Sequence, residues 1–306
     1  MRELLAAGHA VTVMHRDARR RLPDGVEGLI ADRNDGEAVA RVLAGRRFDA
    51  VFDNVYDWER GTSGEQVAAT ARACGDVSRY VFLSSIAAYG HGLDRREDEP
   101  LAPDDFADPY CRAKAMSERA LFRLHRERGL PVATLRPPFV YGPENPFYRE
   151  AFFWDRMRDG RAIVLPGDGS RLMQFVYVKD LVRALIAAMR EPAAAGEACN
   201  IGDARAVTQA ELVAALGRAA GVEPRTVNVE RAKIEAAGGN PMGDPMYFGV
   251  YFDLPPITEA MGKAERLLGV AATTFDQGLR ETYEWYRESG ARRDPDYAFE
   301  DALMRE

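Results

Sequence analysis

Lysine is scarce in this chain. Its 306 residues carry four, Lys114, Lys179, Lys233 and Lys263, so arginine supplies most of the positive charge. Cysteine is as sparse. Cys74, Cys111 and Cys199 stand far apart, which excludes a disulfide framework and ligand-spaced thiols and fits a reducing cytoplasm. Four histidines without a His-x-x-x-His spacing offer no metal site. No apolar run approaches the length of a membrane span, and the N-terminus has no signal-peptide pattern. The net charge of −7 argues against a general nucleic-acid-binding surface. Internal repeats and low-complexity segments are also lacking.

What is present is an alternation of short apolar runs with amphipathic stretches. Strands are predicted near 10–14, 27–31, 49–53, 79–84 and 132–137, and helices near 2–7, 36–44, 63–74 and 109–128. Such alternation predicts an α/β fold, a doubly wound parallel sheet covered on both faces. After Gly142 the pattern loosens. Helices are predicted over 151–158 and 180–190, and a third is capped by Thr208, with Glu211 completing a capping-box spacing. Asn240–Pro245 reads as a turn-rich loop. Residues 275–287 form an amphipathic helix that should pack on a smaller lobe. From Gly290 onward a polar, frayed tail is predicted.

Chemistry concentrates in Tyr110-Cys-Arg-Ala-Lys114. Residues four apart share one helix face, and an ammonium beside a phenol favours the phenolate. With twelve tyrosines and four lysines, such a pair arises by chance roughly one time in six, so context must decide. Arg79-Tyr-Val-Phe-Leu-Ser-Ser85 reads as a buried strand ending in hydroxyls. Asp108 and Pro109 then open a long helix as N-cap and first-turn residue. Met116, Ala120 and Leu124 continue an apolar stripe, and Gly129 stops the helix. The serines thus lie at a strand's carboxyl end, where ligands bind in open α/β sheets, and the Tyr/Lys pair lies in the next helix. A serine hydroxyl can hold the substrate oxygen that a phenol protonates or deprotonates.

Three segments, Val81-Phe-Leu-Ser-Ser-Ile-Ala-Ala-Tyr-Gly90, Pro109-Tyr-Cys-Arg-Ala-Lys114 and Leu135-Arg-Pro-Pro-Phe-Val-Tyr-Gly-Pro143, together resemble the extended short-chain dehydrogenase/reductases, the NAD-dependent epimerase/dehydratase family. Further matches are Gly167-Asp-Gly169, Phe175-Val-Tyr-Val-Lys-Asp180, Cys199-Asn-Ile-Gly202 and Lys263-Ala-Glu-Arg-Leu-Leu-Gly269. The resemblance implies a Rossmann-like dinucleotide lobe over 1–145, with 175–203 returning to it, and a smaller mixed α/β substrate lobe over 146–174 and 204–306. It implies a catalytic set of Ser85, Tyr110 and Lys114. Ser84 is expected to be a satisfied strand-end hydroxyl instead. The implied activity is hydride transfer at a hydroxyl or carbonyl carbon, with the tyrosine as general acid/base.

The family's opening strand and Gly-x-x-Gly-x-x-Gly turn have no counterpart here, and neither Gly61-Thr-Ser-Gly64 nor Gly238-Gly239 replaces them. The first sheet strand is therefore expected to be missing, and the natural reading frame to extend upstream of Met1. Arg16, at the end of the second strand, favours NADP over NAD, since arginine suits a 2′-phosphate. Asp32 resembles the family's adenine-contacting acid, although an Asp that caps the following turn reads equally well. Asn54 sits where the family's chain runs along the cofactor, and the resemblance adds Pro137, Tyr110 and Lys114 as cofactor contacts. Nucleotide-sugar members carry an arginine where this chain has Met173, with Arg171 two residues away, so a nucleotide sugar is the second substrate choice after a small hydroxyl or carbonyl compound such as a sugar. The Val51-Phe-Asp-Asn54 and His15-Arg16 strand ends look closer to a subgroup that includes chloroplast stem-loop-binding proteins, some of which bind RNA. A non-catalytic dinucleotide- or RNA-binding protein, or an inactive product, are the alternatives. A cytoplasmic location, no membrane or metal, and a homodimer among the assemblies complete the expectations.

Overall fold

The computed structural model describes residues 1–305; Glu306, the last residue of the predicted substrate lobe, lies outside them. The chain divides into two compact units. The first comprises Met1–Ser84, Leu101–Leu135 and Ala188–Ala198, and the second Ser85–Pro100, Arg136–Ala187 and Cys199–Glu306.

The parallel strands that the alternation predicts fall mainly in the first unit, each within two residues of its expected bounds. Ala50–Asp53, Arg79–Leu83 and Val132–Arg136 lie side by side, with Glu197–Asn200 following at the far edge. Val11–His15 and Val26–Ile30 pair in parallel as a separate sheet. Burial follows this division. Val132–Arg136 has neighbours on both sides and is buried at every residue, whereas Val11–His15, with one partner, is half-buried throughout. The apolar core gathers Leu29, Val39, Val67, Tyr80, Phe82, Leu121 and Val132.

Helix Pro109–Arg128 begins and ends as its sequence dictates. Asp108 accepts the backbone N–H groups of Tyr110 and Cys111, Pro109 occupies the first turn, and Gly129 closes the helix at φ 70°. The predicted apolar stripe needs correction. Ala120 and Leu124 are buried, but Met116 is 38% exposed. The buried face instead runs through Lys114, Ser117, Glu118 and Leu121, so polar residues conceal it from hydrophobic periodicity. Helix Gly64–Ala73 packs against this one. Ser63 and Gln66 form its capping box. Gly64 is required by contact, because a Cβ there would stand 2.6 Å from the Met116 carbonyl oxygen.

The second unit is built from short strand pairs. Phe139–Tyr141 runs parallel to Phe175–Tyr177, Ile163–Pro166 parallel to Thr226–Val229, and Leu172–Met173 antiparallel to Val207–Thr208. Its core is aromatic, with Phe152, Phe153, Trp154, Phe175 and Phe252 fully enclosed. Thr208 and Glu211 form the predicted capping box. The predicted frayed tail does not hold. Ala298–Met304 is a helix whose Leu303 and Glu300 are buried, and Glu300 makes a two-pronged ion pair with buried Arg156 at 2.5 and 2.9 Å. Polar composition suggested a solvated tail, but the partner of Glu300 lies 144 positions earlier.

Candidate active site

Tyr110 and Lys114 occupy the first two turns of helix Pro109–Arg128. The Lys114 side chain is buried, and its Nζ donates to the Leu83 carbonyl at 2.8 Å, at the end of the central strand. The ammonium lies 5.0 Å from the ring centre of Phe82 and 5.8 Å from those of Tyr56 and Tyr110. Burial lowers the Lys114 pKa to about 8, against the opposing attraction of Asp53 and Glu118. At neutral pH most of the population still carries the charge. A cation held near the phenol ring stabilises a phenolate, and two of its three N–H bonds remain for a ligand.

Ser84, predicted as a satisfied hydroxyl, donates to buried Glu118 at 2.5 Å. Sequence reading missed Glu118. Its signal was spacing, four residues beyond Lys114 on the same helix face. The turn after strand Ala50–Asp53 was also missed as a site element. There the Tyr110 ring stacks on Trp58, with centroids 5.0 Å apart at 22°, and meets Tyr56 edge-on at 4.9 Å and 87°.

Two of the predicted cofactor residues of this unit, Arg16 and Asp32, fall in one charged network. Arg16 pairs with Asp57 at 2.9 Å, Asp57 with Arg60 at 2.5 Å, and Arg60 with Asp32 at 2.7 Å. Asp57 is held down to about 2, first by the backbone N–H of Arg60 and then by its side chain. The Asp32 pKa is lowered, first by the Asn34 backbone N–H, which is the bond a turn-capping aspartate makes. Asn54 is exposed beside this turn.

The remaining predicted residues belong to the second unit. Ser85 accepts the Ala87 backbone N–H at 3.1 Å and caps the short turn Ile86–Tyr89. The Pro137 carbonyl accepts the N–H of Ile86 at 3.0 Å, which ties Pro137 to the residue after Ser85. Met173 is enclosed in the aromatic core. Arg171 is committed to Asp253, donating to its carboxylate at 2.9 Å and to its carbonyl oxygen.

Among the described residues no group of acidic, histidine or cysteine side chains is arranged to hold a metal ion. No helix among them is long and apolar enough to cross a membrane.

A family model described as NAD dependent epimerase/dehydratase matches residues 1–202. The chain belongs to that family. Membership carries the enzyme class, nicotinamide-dependent epimerase or dehydratase chemistry on a Rossmann-like scaffold. Among its relatives, chloroplast stem-loop binding protein of 41 kDa b from Arabidopsis thaliana is 27% identical over 282 residues, spanning 90% of this chain and 69% of that protein. The dTDP-glucose 4,6-dehydratase of Streptomyces niveus is 28% identical, spanning 89% of this chain and 75% of its own. Among solved structures, MoeE5 in complex with UDP-glucose and NAD superposes with a TM-score of 0.72 at 25% identity, covering 94% of each chain.

The nicotinamide cofactor of the family can be tested against the residues present. The Arg16 side chain, expected to meet the adenosine phosphate, is 55% exposed, with Glu59 at 3.8 Å as a second acidic neighbour, and Asp57 keeps four other hydrogen bonds, from the backbone of Glu59 and Arg60 and from the Arg60 side chain. Arg16 is therefore available to an anionic ligand. Lys114, bonded to the Leu83 carbonyl alone, has N–H donors to spare. A guanidinium and an ammonium are donor types that suit a dinucleotide, while the glycine turn that holds a pyrophosphate is not among the residues of this chain.

Proposed function

We propose that this protein is an NAD(P)-dependent oxidoreductase or epimerase that moves a proton on and off a carbinol oxygen with Tyr110. The observation that supports it most is the buried Lys114 ammonium, fixed to the Leu83 carbonyl and facing the Tyr110 ring one helical turn away. A bound nicotinamide supplies the hydride donor or acceptor. The chain's part is the proton. Tyr110 accepts the hydroxyl proton as the alcohol is oxidised and returns it on reduction. Lys114 stabilises the phenolate and donates to the cofactor's ribose. Ser85, whose oxygen accepts the Ala87 N–H, keeps its own proton to donate to the substrate oxygen.

The cofactor reading is NADP, on Arg16. The guanidinium end of this pair is open to solvent and Asp57 keeps its bonds from Arg60 and the backbone without it, whereas charge-assisted bonds from a guanidinium to phosphate are among the strongest. Arg16 therefore leaves Asp57 for a 2′-phosphate at small cost. The substrate reading is a small hydroxyl or carbonyl compound, a sugar in the first instance. The similarity to a dTDP-glucose dehydratase and to a UDP-glucose-bound neighbour favours a sugar. The enclosure of Met173 and the engagement of Arg171 by Asp253 disfavour a diphosphate held by either position. A second reading is a nucleic-acid-binding protein on the same scaffold, supported by the likeness to a stem-loop binding protein. The net charge of −7 stands against it.

The test is turnover of NAD(P)(H) with free sugars, UDP-glucose and dTDP-glucose, in wild type and in Tyr110→Phe. Loss of the general acid–base group should lower turnover by about 10²-fold or more while cofactor affinity is retained. Wild-type turnover in Tyr110→Phe would sink the assignment. Tight binding of a stem-loop RNA with no turnover of any of these compounds would favour the second reading.

A further inference from the structure

The turn Tyr56-Asp57-Trp58 has a construction that the catalytic reading does not absorb. Its aspartate faces inward and its two aromatic side chains meet the helix Pro109–Arg128. The Asp57 backbone N–H donates to Thr62 Oγ1 at 3.0 Å, and one carboxylate oxygen of Asp57 accepts the backbone N–H groups of Glu59 and Arg60, both at 3.0 Å. The other oxygen accepts from the Arg60 side chain. A turn tied at this many points presents its flanking residues in one orientation. Tyr56 and Trp58 lie 5.1 Å apart at 71° and enclose Tyr110 from two sides. Trp58 is 57% exposed even so.

We propose that Trp58 is a positioning residue for Tyr110: its indole walls one face of the phenol, with Tyr56 on the edge, and so holds the hydroxyl in the orientation that proton transfer needs. The inference deepens the acid–base reading of Tyr110 and rests on it. Two features support it. Stacked and edge-on pairs fix ring orientation, which a half-buried tyrosine free to turn about Cα–Cβ and Cβ–Cγ otherwise lacks. Burial also raises the Tyr56 pKa, so this neighbour stays neutral and does not compete for the charge of Lys114. The reactive oxygen needs its geometry kept to within fractions of an ångström, which is what a wall of this kind provides.

The deciding measurement is the ring resonance of Tyr110 in protein labelled with ¹³C-tyrosine, identified by its disappearance in Tyr110→Phe. In the wild type it should be shifted upfield by the stacked indole. Trp58→Ala should move it to an unshifted position, and Trp58→Phe should keep part of the shift. With any compound that turns over, Trp58→Ala should lower kcat roughly three- to tenfold, the value of one stacked pair, with the cofactor dissociation constant unchanged, and Trp58→Phe should recover most of it. A Tyr110 resonance unchanged in Trp58→Ala overturns the inference, as does equal loss of kcat in the Ala and Phe variants. If Tyr110→Phe is inactive while Trp58→Ala matches wild type, only the inference falls. If Tyr110→Phe retains full turnover, the acid–base reading falls, and the role of Trp58 falls with it.

Discussion

Replacing Lys114 by methionine should make the protein more stable while destroying its chemistry. The Lys114 ammonium is buried among Phe82, Tyr56 and Tyr110, and desolvation lowers its pKa from 10.5 to about 8. The attractions of Asp53 and Glu118 are already included in that net depression. Such a shift corresponds to ~3 kcal/mol by which the folded state disfavours the charged side chain at neutral pH. Methionine has a similar length and fills the same aromatic surroundings without a charge. It forfeits the hydrogen bond to the Leu83 carbonyl, a loss of about 1 kcal/mol or somewhat more. Lys114→Met should therefore gain about 1–2 kcal/mol at pH 7. The sign follows from linkage. A lysine whose folded pKa lies below its unfolded value is most costly below about pH 8, and the cost fades as pH rises from about 8 to 10.5. Urea denaturation of both proteins at several pH values checks this. The advantage of the variant should be greatest at pH 7 and vanish or reverse by pH 10.5. A variant less stable than wild type at pH 7, or a gap that does not change with pH, would refute the reasoning. A gain in stability at the expense of function is the usual signature of a strained catalytic group.

Three further outcomes are expected. Arg16→Ala should weaken NADP(H) binding far more than NAD(H) binding, because only the former loses a charge-assisted partner; competitive titration of both cofactors decides it, and equal losses would reverse the preference. Gly64→Ala should destabilise the protein by about 1–3 kcal/mol in chemical denaturation, since the new Cβ would stand 2.6 Å from the backbone oxygen of Met116 and the two helices must separate. Glu300→Ala should cost about 3 kcal/mol or more by leaving buried Arg156 without its counter-charge, and limited proteolysis should then cut the segment around Ala298–Met304, which wild type protects.

Local chemistry let the sequence determine much of this protein. Asp108, Pro109 and Gly129 fixed a helix at both ends because capping and positive φ act within a few residues. Thr208 and Glu211 did the same for another. The period of apolar runs located the parallel strands, and the order of the motifs around Ser85, Tyr110 and Lys114 pointed to the family. What tertiary structure alone decided involves residues far apart in the chain. The Lys114 ammonium faces Tyr56, 58 positions away, and donates to the Leu83 carbonyl. Glu118 is buried against Ser84, so the helix's inner face is partly polar and escapes a hydrophobic stripe. Arg156 draws Glu300 into the interior and turns an expected tail into a docked helix. Trp58 carries no local signal of its own, and only the fold lays it on Tyr110. Caps, turns and periodicity are written in neighbouring residues, whereas desolvation, buried ion pairing and ring stacking depend on which distant segments the fold brings together.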